Sequence, residues 1–306
     1  MSTLKGINEF VTVQSKDFNS CIAVIEHDLT IQGMKANLRF HHLKFDGNGL
    51  PMIKKLAETL YEYIIDFCIS SKNRDEQLTP TQSARLVKQA RALFRHPNIS
   101  EKKADKTGEA GEALLFFLME AVLGAPQIVA KMELKTNSND EVKGSDGIHA
   151  RWDPIDRIVD FYFGEAKLYK NISAAIKSAL DSIDGFHENE MYKHEFSMVT
   201  KHFKYSNNEI KSAVSDLIAL GEPGEGVRIN HACLIGYDWN GYIDLCNVDH
   251  LLEDFRGKFE RDFPRITEIL RTKFSGFKHK HLKFDVFFIP FPSVSDFRDA
   301  FNKALD

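Results

Sequence analysis

The sequence predicts an α/β fold in which helices flank a mixed central sheet. Three observations carry this. A helical segment is followed by three closely spaced strand-like segments, then by a second helix and a further strand. The strand segments are short apolar or alternating runs bounded by turn residues. Of the 306 residues, 43% are hydrophobic and 27% charged, an ordinary balance for a chain that buries a sizeable core.

The N-terminal third mixes strands and helices. Cys21 to Ile25 and Asn37 to Phe45 read as strands. Residues 51–70 read as helical, because Ile53, Leu56, Leu60, Ile64 and Phe67 recur at three- and four-residue spacing. A second helix over 80–95 is opened by Thr79-Pro80-Thr81 and ends before Pro97. The polar stretch from His96 to Lys106 is the candidate boundary between an N-terminal α/β region, residues 1–100, and a second region, residues 101–306. A long surface loop within one domain would look the same.

Beyond that stretch a helix is predicted at about 108–123, with Ala110, Ala113, Leu114, Phe117, Leu118, Ala121 and Val122 on its apolar face and Gly124 as its stop. Gln127 to Leu134 reads as a strand. Residues 144–152 and 158–169 read as two strands joined by Asp153-Pro154-Ile155-Asp156-Arg157, a strong turn signal. A helix follows from about Ser173 to Ile183. A strand at 230–238, a helical stretch at 250–273 interrupted at Pro264, a strand at 282–290 and a short helix from Ser295 complete the chain.

Composition excludes several classes. No apolar run approaches the roughly 18 residues of a membrane span. Met1 to Phe10 shows no charged head followed by an apolar stretch, so no secretory signal is expected. Cys21, Cys68, Cys233 and Cys246 are scattered, with no Cys-x-x-Cys pair to suggest a zinc knuckle or a disulfide framework. Buried thiols in a reducing cytoplasm fit best. The formal net charge of -4 gives no argument for nucleic-acid binding, which would have to come from local patches. No Gly-x-x-x-x-Gly-Lys-Ser/Thr string is present, so no ATP site is expected in this chain.

The segment that suggests chemistry is Gly144-Ser145-Asp146-Gly147-Ile148-His149, followed by Gly164-Glu165-Ala166-Lys167. Side chains i and i+2 of a strand share a face, so Glu165 and Lys167 point the same way. A turn centred near Ile155 pairs the two strands antiparallel, with facing positions summing to about 310. Asp146 then falls roughly opposite Gly164, within one residue of Glu165. Two carboxylates and an ammonium should therefore converge at the end of the hairpin far from its turn. Carboxylates held close repel, and a hard divalent cation relieves the repulsion. Such an ion activates water and stabilises phosphoryl charge, and a lysine beside it can orient the water or help deprotonate it. The Ala166 carbonyl could supply a further metal ligand. By itself, Glu-x-Lys is as well explained as a solvated strand face, and Asp-Gly as a turn.

With Gly108-Glu109-Ala110-Gly111-Glu112-Ala113 ahead of them, these motifs resemble the PD-(D/E)XK nuclease superfamily, and more narrowly the HamA family, the nuclease subunits of Hachiman anti-phage defence systems. The motif region spans roughly residues 105–185, and the stretch from Thr107 to Lys170 is the specific part. The resemblance implies a restriction-endonuclease-like core in residues 101–306. It assigns Asp146 and Glu165 as metal ligands, Lys167 as the catalytic lysine, and magnesium as the ion, with manganese as a substitute. It also implies a bacterial cytoplasmic DNA endonuclease in a heterodimer with a HamB-like superfamily 2 helicase, with the N-terminal region available for docking the partner. Gly144-Ser145 stands where the superfamily's name has Pro. A helical glutamate often completes such sites. Glu112 is the choice here, with Glu109 the competitor, and either also suits a helix N-terminus through the dipole.

Other residues read less sharply. His149 has the opposite strand parity to Asp146 and reads as a packed or rim histidine. Lys177, on the helix after the Glu-x-Lys strand, is a candidate phosphate contact. So are Lys201 and Lys204 in the run Lys201 to Tyr205, and Lys278 and Lys280 in the run Lys273 to Lys283. A solvated lysine is the readier explanation of Lys177, and the two runs could equally face water or the helicase. Gly221 to Gly226 carries two acids and reads as an ordinary loop.

Overall fold

The computed structural model describes residues 3–75, 77–94, 108–134, 144–218, 221–243, 245 and 250–306. Its centre is one seven-stranded mixed sheet. The strands are β1 (Ile22–Ile25), β2 (Lys35–Leu43), β3 (Gln127–Val129), β4 (Gly147–Asp153), β5 (Ile158–Tyr169), β6 (Val227–Asp238) and β7 (Lys283–Phe291), in the order β1-β2-β7-β6-β5-β4-β3. The middle pairs, β2 with β7, β7 with β6 and β6 with β5, are parallel, and the pairs at both edges are antiparallel. Parallel strands are covered on both faces, which is why β7 is a nearly unbroken apolar run.

The helices are α1 (Ser15–Cys21), α2 (Ile53–Glu62), α3 (Ile64–Cys68), α4 (Pro80–Phe94), α5 (Glu109–Leu123), α6 (Ile172–Glu188), α7 (Met191–His202), α8 (Asn208–Leu217), α9 (Leu251–Ser275) and α10 (Val294–Leu305). One face of the sheet packs Tyr162, Leu234, Phe287 and Ile289 against α2, α5 and α10. The other packs Cys233, Ile235, Phe40 and Phe288 against α6 and α9. A third cluster joins Ile148, Phe161 and Phe163 to α7 and α8. Among the described residues no helix is long and apolar enough to cross a membrane.

The structure alters several expectations. The stretch Gln127 to Leu134 is a strand only to Val129, and Lys131–Leu134 form a 3-10 turn. Pro264 does not interrupt α9. Phe255, Phe259 and Phe263 before it, and Ile266, Leu270 and Phe274 after it, are buried along one stripe, and that packing holds the helix continuous through a residue that donates no hydrogen bond. Helices α7 and α8, in a stretch given no helix from sequence, complete the cover of β3 to β5. The boundary expected near residue 100 lies outside the described residues, and the sheet draws β1 and β2 from one side of it and β3 to β7 from the other.

Candidate active site

The hairpin of β4 and β5 is built by its turn. Asp153 Oδ1 accepts the Ile155 and Asp156 amides at 2.9 and 3.3 Å, and Arg157 takes up a left-handed conformation at φ 57°. The register that follows pairs Gly147 with Gly164. Continued by one residue, it sets Asp146 opposite Glu165 itself rather than Gly164, a shift of one position from the sequence expectation. Ile148, Phe161 and Phe163 bury one face of this hairpin against α7, and Asp146, Glu165 and Lys167 share that parity. Tyr162, Ala166 and Leu168 turn to the opposite face, against α5.

The pair sits where β4 stops and β5 runs on beside β6. The Asp146 amide donates to the Gly164 carbonyl at 2.8 Å, and the Ala166 amide donates to Asp146 Oδ2 at 2.6 Å. Alternate residues of a strand direct their backbone groups to the same side, so Gly164 and Ala166 both address the Asp146 side of β5. The Ala166 carbonyl therefore faces the open end of the hairpin.

The electrostatics are those of a crowded anionic site. Burial, then the Asp146 charge, pushes the Glu165 carboxyl up to about 7, against the pull of Lys167 and a hydrogen bond from Ser182. Glu165 is only 9% exposed, so water screens little of this repulsion. Burial also raises Asp146, opposed by the Ala166 amide and by Lys167 and Lys131. Lys167 Nζ lies 2.5 Å from Glu165 Oε1. Burial alone would lower the lysine, but Glu165 and Asp146 outweigh it and hold the ammonium charged.

This donor set fits a hard divalent cation. Two buried carboxylates that repel each other, next to an outward-turned carbonyl, gain most from an ion that takes few protein oxygens and fills its remaining positions with water. Asp146, Glu165 and the Ala166 carbonyl would hold it. Among the described residues no three His, Cys, Asp or Glu side chains form a ready metal-binding group. Glu112 is accordingly not gathered with the pair. It lies in the first turn of α5, with its Oε1 near Gly108, while Gly111 rests on Ala166 and Leu168 from the far face of the sheet.

The remaining candidates separate cleanly. His149 is buried, its Nδ1 2.7 Å from the Ala125 carbonyl, on the face away from Asp146. Lys177, Lys201, Lys278 and Lys280 are exposed. Lys177 pairs with Asp181, Lys278 with Glu188, and Lys280 donates to the Ser275 carbonyl. Lys204 corrects the expectation of a phosphate contact. It is completely buried, donating to the Asp66 carbonyl at 2.6 Å and to Gln127 Oε1 at 3.0 Å, with its Nζ over the Phe116 and Tyr205 rings.

Sequence reasoning missed Glu195. This fully buried side chain on α7 accepts the Ser145 amide at 2.7 Å, immediately before Asp146. It comes from a helix that local periodicity did not reveal, 50 positions away in the chain. Its only sequence signal is an acid on an otherwise packing face.

Fold and site together define an α/β protein whose sheet hairpin presents two carboxylates and a lysine at its open end. The HamA family model matches residues 16–305, and the chain belongs to the HamA family. Membership marks it as a component of a Hachiman defence system. A comparison with curated proteins gives no match.

Proposed function

We propose that the chain is a metal-dependent DNA endonuclease of the PD-(D/E)XK type, the effector of a Hachiman complex whose partner is a superfamily 2 helicase. The observation that carries this reading is the juxtaposition of Asp146 and Glu165 across the hairpin, with Lys167 paired to Glu165 at 2.5 Å. A buried pair of like charges is costly unless a cation completes it.

Magnesium, or manganese in its place, would lower the pKa of the attacking water and counter the charge on the phosphoryl oxygens. Asp146 and Glu165 would hold that ion at the open end of the hairpin. Lys167, paired to Glu165 beside the carboxylates, would orient the attacking water or help deprotonate it and offset charge growing on the phosphate. Exposed lysines, Lys177 on α6 first among them, meet the DNA backbone. A partner that couples ATP use to DNA tracking would restrain an enzyme that otherwise threatens the host chromosome.

The test is incubation of plasmid DNA with the protein, with and without magnesium, helicase partner and ATP. Magnesium-dependent nicking or linearisation, lost in Asp146→Asn, supports the proposal. DNA or helicase binding without cutting under every condition would leave a nuclease-like binding module instead.

A further inference from the structure

Asp146 stands at the end of a loop whose backbone is gripped from α7. Glu195 Oε1 accepts the Ser145 amide at 2.7 Å, the Ser145 hydroxyl at 3.1 Å and Lys131 Nζ at 2.9 Å. Lys131 Nζ also donates to the Ser145 carbonyl at 2.5 Å. The Ser145 hydroxyl lies 3.1 Å from the Gly147 carbonyl as well. Both backbone polar groups of Ser145 and its side chain are thus fixed by one ion pair, which is itself almost wholly buried. Gly144 completes the fit. Its φ of 109° suits glycine, and a Cβ there would overlap Glu195 Oε1.

We infer that Glu195 is the positioning residue for Asp146, acting through Ser145 with Lys131 as counter-charge; this rests on the carboxylate pair of the proposed site. A buried ion pair is an expensive source of stability compared with apolar packing. This one is also lopsided. Every bond converges on Oε1, beside the loop, while Oε2 is buried without a hydrogen-bond partner among the described residues. What this ion pair secures is the backbone one residue before Asp146, whose Oδ2 then meets the Ala166 amide. It explains Gly144-Ser145 where the superfamily's name has proline: glycine admits the carboxylate, and serine supplies an amide and a hydroxyl to hold it.

The Ala166 amide reports the position of Asp146 without needing metal or DNA. Amide exchange is followed in [15N]alanine-labelled full-length protein for the wild type, Glu195→Ala, Glu195→Gln and Gly144→Ala. Ala150 and Ala175, bonded to the Pro126 and Asn171 carbonyls, serve as controls. Ala166 should exchange about tenfold faster or more in Glu195→Ala and Gly144→Ala with both controls unchanged. Glu195→Gln, which keeps an acceptor oxygen, should largely restore protection. Wild-type exchange at Ala166 in both Glu195→Ala and Gly144→Ala would overturn the inference. So would equal acceleration of Ala166 and both controls in every variant, which would make Glu195 a general support of the fold. Manganese binding, read by electron paramagnetic resonance on the same samples, is a separate arm. No binding by the wild type would remove the metal site, while the exchange result would still decide the role of Glu195.

Discussion

The Ala166 amide donates to Asp146 Oδ2 at 2.6 Å, and this bond ties the side chain of one strand's end to the backbone between the two other site residues. It places a carboxylate beside Glu165. The site is therefore preorganised against its own electrostatics, with the repulsion held by packing and hydrogen bonds around it.

Neutralising one member of the pair should separate function from stability. Glu165→Gln and Asp146→Asn are each expected to reduce magnesium-dependent DNA cleavage on the order of 100-fold or more. The metal-free protein should become more stable in Glu165→Gln at alkaline pH. The sign follows from linkage. The folded-state value of Glu165 is raised from 4.5 to about 7, so its contribution is full below the unfolded value and is lost as pH rises through the folded one. Thermal melts at about pH 5 and about pH 8 should show a smaller decline for Glu165→Gln than for the wild type, and identical declines would contradict the buried repulsion.

Acid should act through different residues. Burial lowers His41 and His42 to about 4 and His149 to about 3, from an ordinary 6.5. Their unfolded forms bind protons that the folded forms refuse. The stability they contribute is complete above 6.5 and declines as pH falls toward 4. Each adds a slope of about 1.4 kcal/mol per pH unit in that window. His41→Phe, set among the Phe18 and Phe287 rings, should remove one proton's share of the slope in urea unfolding between about pH 6 and pH 4.5. An unchanged slope would mean that His41 titrates normally.

Gly111 should be sensitive to any side chain. A Cβ there would lie 3.3 Å from both Ala166 Cβ and Leu168 Cγ, so α5 sits on β5 with almost no clearance behind the site. Gly111→Val is expected to cost about 1–3 kcal/mol and to reduce cleavage by moving Ala166. Chemical denaturation and the plasmid assay measure the two effects, and wild-type values in both would show that the helix accommodates the change.

What could be read in advance follows the range of the forces involved. The β4–β5 hairpin is set by a local turn and by alternating side chains, so its strands and the shared face of Asp146, Glu165 and Lys167 were accessible from spacing. Helix α5 carries its own stop, with Gly124 in the left-handed region at φ 60°. Pro264 misled because helix propensity is local, whereas the Phe255-to-Phe274 stripe that holds α9 together is tertiary. Glu195 and Lys131 were hidden for the same reason: their partners lie on other elements, and neither has a telling neighbour in sequence.

The basic run Lys201 to Tyr205 shows how far apart two lysines of one motif can lie in function. After α7 ends at His202 the chain turns inward, burying Phe203, Lys204 and Tyr205 while Lys201 stays in water. Lys204→Met should leave DNA affinity and its salt dependence unchanged, because no phosphate can reach Nζ. It should cost about 1–3 kcal/mol in stability, since the Asp66 carbonyl and Gln127 Oε1 lose their donor. Lys177→Ala should do the reverse, with little change in melting temperature and weaker DNA binding whose log–log salt slope falls by about one. Fluorescence anisotropy over a salt series, alongside thermal melts, separates the two patterns. Loss of DNA affinity in Lys204→Met at full stability would place that lysine at the surface and contradict its burial.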